Sequence, residues 1–123
     1  PEYHIRVSDG LRLNPAIGGK LFPPAGEVYV QAARIGDLMW VTAPCDFSGE
    51  MAIPYKKTMG QEGYRAMVTS FNGAYVGYII PGKYYHLNEY ESRLMSWYGP
   101  GMGPYTDEMI RRIMRKLTSL KNI

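Results

Sequence analysis

Leu38-Met39-Trp40-Val41-Thr42-Ala43 is apolar at nearly every position, a pattern that suits a strand in the middle of a sheet with both faces covered. Upstream of it, Val28, Val30 and Ala32 alternate with Tyr29, Gln31 and Ala33 as far as Ile35, and Gly36-Asp37 leads straight into the apolar run. Two strands joined by a Gly-Asp pair read as a tight antiparallel hairpin. Downstream, residues 54–59 suit a short helix with Pro54 in its first turn and Gly60 and Gly63 ending it. Residues 65–71 then read as a third strand, stopped by Asn72-Gly73. Strand, crossover and returning strand imply a parallel pair. Loops that follow two such strands share one edge of the sheet, where α/β proteins place their sites, so Glu50 and residues 72–78 are expected near each other.

The remaining segments frame that unit. Tyr3, Ile5 and Val7 alternate with His4, Arg6 and Ser8 ahead of Asp9-Gly10, which predicts a short strand. Residues 11–27 hold Asn14-Pro15, Gly18-Gly19 and Pro23-Pro24, so a long loop without regular elements is expected. A short helix is expected over 87–95, within a loop-rich stretch. Thr106 is placed as the cap of a last helix, with Asp107 and Glu108 early, Arg111, Arg112, Arg115 and Lys116 late, and Ile110, Ile113, Met114, Leu117 and Leu120 as its apolar stripe. That stripe has no Trp or Phe to anchor at a lipid interface, so the helix reads as packed on the sheet. The fold class is therefore α+β: a small mixed β-sheet with a hairpin and one parallel crossover, flanked by helices. Residues 1–27 form a strand and a Pro/Gly-rich lead-in to the unit at 28–123.

Function classes narrow by exclusion. No run of 18 apolar residues exists, so no membrane span is expected, and no charged stretch with an apolar h-region opens the chain. The sequence starts with Pro1 and reads as an internal piece of a longer protein. Net charge is +3 and the pI about 9.0, but the basic residues gather in the last helix and do not interleave with aromatics, so nucleic acid is not an expected partner. Cys45 is the only cysteine and its neighbours Pro44 and Asp46 offer no base, which makes it a small buried residue and not a nucleophile. The only imidazoles, His4 and His86, lie on unrelated segments without Glu-x-x-His or His-x-x-x-His spacing, so a complete zinc site cannot be assembled inside this chain. No serine lies in a Gly-x-Ser-x-Gly elbow. Tyr supplies 11 aromatics against 3 Phe and 2 Trp, an excess that points to phenols lining a site.

One ordered series stands out: Asp46-Phe47-Ser48-Gly49-Glu50, then Asn72-Gly73-Ala74-Tyr75-Val76-Gly77-Tyr78, then Tyr90-Glu91, then Tyr98-Gly99-Pro100. It resembles the C-terminal portion of the catalytic domain of neutral, non-lysosomal ceramidases. In that family a strand ends in Pro-Gly-Glu, a helix and a strand follow, and an Asn-x-Tyr-x-x-Tyr stretch leads to a Tyr-Glu pair and a Tyr-Gly-Pro. The resemblance extends from about Val28 to Pro100, with weaker agreement through the last helix. Phe47-Ser48 stands where the family usually has Pro before Gly-Glu, the helix after Glu50 is shorter, and Met102 follows where His-Thr is usual. These departures keep the ligand types and alter the pocket wall.

The resemblance implies roles. Glu50 and Tyr78 would be zinc ligands, completed by two histidines upstream of this chain, and Tyr90 would contact the scissile amide and stabilise its oxyanion. The full-length protein would then be a zinc-dependent amide hydrolase cleaving the N-acyl bond of ceramide or a related lipid. It would be secreted, periplasmic or at the cell surface, while the isolated chain is inactive and lacks zinc. Its implied partners are the upstream half of the same domain and a lipid-like N-acyl substrate. Self-association of the isolated chain would cover apolar surface that the missing half leaves bare. The alternative reading is a non-catalytic interaction module whose tyrosine-rich surface takes a lipid or a glycan; it predicts an upstream sequence without the two histidines.

Overall fold

The computed structural model describes residues 5–21 and 26–120. Tyr3 and His4, the first half of the first expected strand, lie outside the described residues. The second half forms β1 (Arg6–Ser8), which folds back through Asp9-Gly10 onto β2 (Leu11–Arg12). A helix, α1 (Pro15–Leu21), follows where a loop was expected. Its cause is local: the Asn14 side chain accepts a hydrogen bond from the Ala16 N–H at 2.9 Å, and the Asn14 carbonyl accepts those of Ile17 and Gly18. The Asn-Pro pair is thus an N-cap followed by a proline in the first helical position, and not a bend in a loop.

The central unit has the expected topology. β3 (Gln31–Ile35) pairs antiparallel with β4 (Leu38–Thr42), and β4 pairs parallel with β6 (Arg65–Thr69), giving the order β3-β4-β6. Gly36, with φ of +61°, makes the hairpin turn. Between β4 and β6 run β5 (Asp46–Phe47) and α2 (Gly49–Gln61). The helix starts five residues before Pro54. Its first turn closes on the Ser48 carbonyl, which accepts the N–H groups of Met51 and Ala52, so Pro54 sits in the helix interior and deprives the Glu50 carbonyl of its usual partner. Gly63, with φ of +83°, lies just past the end.

Met39 and Val41 of β4 are fully buried, under Ala52, Tyr55 and Met59 of α2 and Ile110 and Met114 of α3 (Met102–Ser119). Leu38, Trp40 and Thr42, which alternate with them, are only half-buried. One face of the strand is therefore a core and the other is partly open, whereas the apolar run predicted two covered faces. α3 begins four residues ahead of Thr106, which is buried within it. The start comes early because Gly103 presses against β7 (Tyr78–Ile79): a Cβ there would stand 2.4 Å from the Ile80 carbonyl oxygen. In place of the helix expected over 87–95, a 3₁₀ turn (Gly82–Tyr84) and a π-helical turn (Glu91–Met95) occupy the stretch.

Candidate active site

The edge where β4 and β6 end is laced together by backbone hydrogen bonds. Ala43 N–H donates to the Thr69 carbonyl and Asn72 N–H to that of Ala43, at 2.9 and 3.1 Å. Phe71 donates to Cys45, Val76 to Pro44, Asp46 to Gly77 and Ser48 to Ile79, at 2.9 to 3.1 Å. The last two flank a short parallel pair, β5 with β7, in which Asp46 stands opposite Tyr78. Sequence alone did not reveal that pair, because two-residue strands carry no period. Asn72 braces the turn, donating to the Thr69 hydroxyl at 3.0 Å and the Ser70 carbonyl at 2.6 Å.

Tyr78 and Tyr90 come together on this edge. Their rings meet edge to face with centroids 6.2 Å apart and planes at 84°, an arrangement the ring quadrupoles favour. Tyr90 precedes the π-helical turn and is 55% exposed. The Tyr78 phenol is held protonated above its ordinary range by burial first, then by the charge of Asp46 and a hydrogen bond to it. Glu50, in the first turn of α2, has a different partner. Its carboxylate takes a hydrogen bond from Lys83 and a further one from Tyr84, which keep it below the ordinary carboxylate range. The Lys83 ammonium also sits 4.7 Å from the Tyr84 ring centre. Asp46, Lys83 and Tyr84 are therefore site neighbours that sequence reasoning did not assign. Asp46 was legible only as the opening of the Asp-x-x-Gly-Glu run, and nothing in the sequence ties Lys83 to a glutamate 33 positions away.

Beside Glu50 lies a pocket of about 200 Å³ whose wall includes Ser48, Ile80, Pro81, Tyr84, Leu87 and Ser92. Ser92 spends its hydroxyl on the Leu87 and Glu89 carbonyls. Burial, with Asp46 adding to it, pushes the Cys45 thiol up to about 12, so it stays a thiol at neutral pH, in keeping with a structural role.

The donor types suit zinc in two positions: Glu50 is already ionised and half exposed, and a cation can drive the Tyr78 phenol to phenolate. Among the described residues no three His, Cys, Asp or Glu side chains gather at one point, so what they offer is part of a shell.

Two solved structures have this fold. Neutral ceramidase from Pseudomonas aeruginosa aligns with a TM-score of 0.54 and 25% identity over 65% of this chain. A ceramidase complexed with C2 aligns with a TM-score of 0.55 and 23% identity over 69% of it. The aligned parts make up only 13% and 15% of those two proteins. No family model and no curated protein matches the chain. The chain is ceramidase-like, folded as a segment of the neutral ceramidase architecture.

Proposed function

We propose that this chain is one part of an amide hydrolase that cleaves the N-acyl bond of ceramide or a related lipid, and that it contributes Glu50 and Tyr78 as zinc ligands and Tyr90 as the phenol facing the amide. The observation that carries the reading is the edge-to-face meeting of Tyr78 and Tyr90 on the edge where β4 and β6 end, in a fold otherwise found in ceramidases. Zinc, when bound, supplies a Lewis acid and lowers the pKa of its water. Lys83 keeps Glu50 ionised and aims it. Asp46 accepts the Tyr78 hydrogen bond and so fixes the orientation of that phenol. The half-exposed Tyr90 hydroxyl is free to reach an incoming carbonyl, and one donor to a developing oxyanion contributes about 3 kcal/mol to a transition state. The upstream half of the domain, on this reading, completes the zinc shell.

The test uses the protein carrying its upstream half. It is expected to hold zinc and to release fatty acid from an N-acyl lipid. Glu50→Gln with Tyr78→Phe should lower the metal content, and Tyr90→Phe should leave metal content intact while slowing hydrolysis about a hundredfold. Unchanged zinc and unchanged hydrolysis in the double variant would remove the assignment.

A further inference from the structure

The turn that ends β6 places an aromatic ring where the backbone resists one. Phe71 has φ of +59°, the only non-glycine residue with positive φ among those described, and bulky side chains disfavour that region. It is also 62% exposed. Closing the turn requires neither feature, since the anchoring bond runs from the Phe71 N–H to the Cys45 carbonyl at 3.0 Å and glycine would make it equally well.

The ring itself is organised. Phe71 lies nearly flat on Tyr75, with centroids 5.5 Å apart and planes at 14°. Tyr75 meets Trp97 edge to face at 5.5 Å and 87°. Trp97 in turn is pressed against Gly77, where a Cβ would come within 2.9 Å of an indole carbon. Burial raises the Tyr75 phenol, with the charges of Tyr78, Asp46 and Tyr90 adding to it, so this row of rings adjoins the Tyr78–Tyr90 pair.

We propose that Phe71, Tyr75 and Trp97 form a wall that binds an unbranched apolar chain of the substrate, running outward from Tyr78 and Tyr90 to the open face of Phe71. The proposal rests on the amide-hydrolase reading, which supplies a lipid tail as the ligand. A hydrocarbon fits better than a sugar ring because the neighbouring amide of Asn72 spends its N–H groups inside the turn, leaving them unavailable to sugar hydroxyls. Strain at Phe71 and exposure of its ring are then features that ligand burial offsets.

The test needs only this chain. Butanamide, hexanamide and octanamide are titrated while the aromatic carbon–proton NMR signals of Phe71, Tyr75 and Trp97 are followed. Affinity should rise severalfold for each added methylene, up to about fourfold where burial is complete, with the shifts concentrated on those rings. Phe71→Gly should raise the thermal midpoint, because glycine accepts the left-handed backbone, while weakening octanamide binding at least about fivefold. Phe71→Asn, which also tolerates that backbone, should lose binding in the same way. Octanamide shifts absent from these rings, affinity independent of chain length, or binding unchanged in both variants would each overturn the wall. Shifts produced by methyl glucoside and not by octanamide would overturn it in favour of a sugar. Loss of the wall while the longer protein still loads zinc and hydrolyses N-acyl lipid would leave the amidase reading standing, and the reverse result would remove only that reading.

Discussion

Gly77 and Gly73 share a backbone conformation, with φ of +81° and +79°, but not a neighbourhood. A Cβ on Gly73 meets nothing within 4 Å, whereas one on Gly77 would stand 2.4 Å from the Met95 carbonyl oxygen and 2.9 Å from the Trp97 ring. Gly73→Ala should therefore cost only the left-handed penalty of roughly 1–2 kcal/mol, and Gly77→Ala that amount plus an overpacking cost of about 1–3 kcal/mol. Denaturant unfolding of both variants measures the difference directly; equal losses would mean that Trp97 does not depend on close approach to the backbone there. Residue by residue, the sequence was informative about types and silent about partners. Glu50, Tyr78 and Tyr90 could be singled out from their spacing within a familiar series. The Lys83 that holds Glu50 and the Asp46 that holds Tyr78 depend on how distant segments cross, which no local pattern encodes.

Between elements, α2 and α3 are joined by Tyr55, Asp107 and Arg111. The Tyr55 hydroxyl donates to Asp107 at 2.5 Å, Arg111 donates to the other carboxylate oxygen at 2.8 Å, and the guanidinium lies over the Tyr55 ring. Burial pushes the Asp107 carboxyl up, but the bonds from Arg111 and Tyr55 outweigh it and hold the group below its ordinary 3.8. A depressed carboxyl stabilises the fold fully above its unfolded-state value, and that contribution fades as pH falls through the lower folded value. Tyr55→Phe should cost about 1–2 kcal/mol at neutral pH and, by letting Asp107 return toward 3.8, shrink the loss of stability on acidification below about pH 4. Thermal melts from pH 7 to 2 check both. The elements themselves were legible where a period ran long enough: the hairpin, the parallel crossover and the last helix all follow their hydrophobic patterns. α1 was missed because Asn-Pro marks a helix start as readily as a turn, and α2 was begun too late because Pro54 is tolerated inside it.

The molecule as a whole has one face of its three-stranded sheet packed beneath helices and the other only partly protected. Across that second face Ala33, Trp40 and Met67 stand in register, with Ile35 opposite Leu38 alongside them. Ile35 is 60% and Met67 39% exposed, a contiguous apolar stripe of the kind that drives association. The isolated chain should accordingly self-associate at high concentration, and Ile35→Glu with Met67→Lys should return it to a monomer in sedimentation velocity runs. A doubly substituted chain that sediments as the parent does would place the contact elsewhere. At the opposite end of the scale from that broad surface sits Ser48, a single peptide with two duties: its N–H is tied to the Ile79 carbonyl and its carbonyl nucleates α2. The strand bearing Tyr78 and the helix bearing Glu50 thus hang from one joint. Any ligand that tugs on the tyrosine shifts the glutamate as well, like two arms of a single lever.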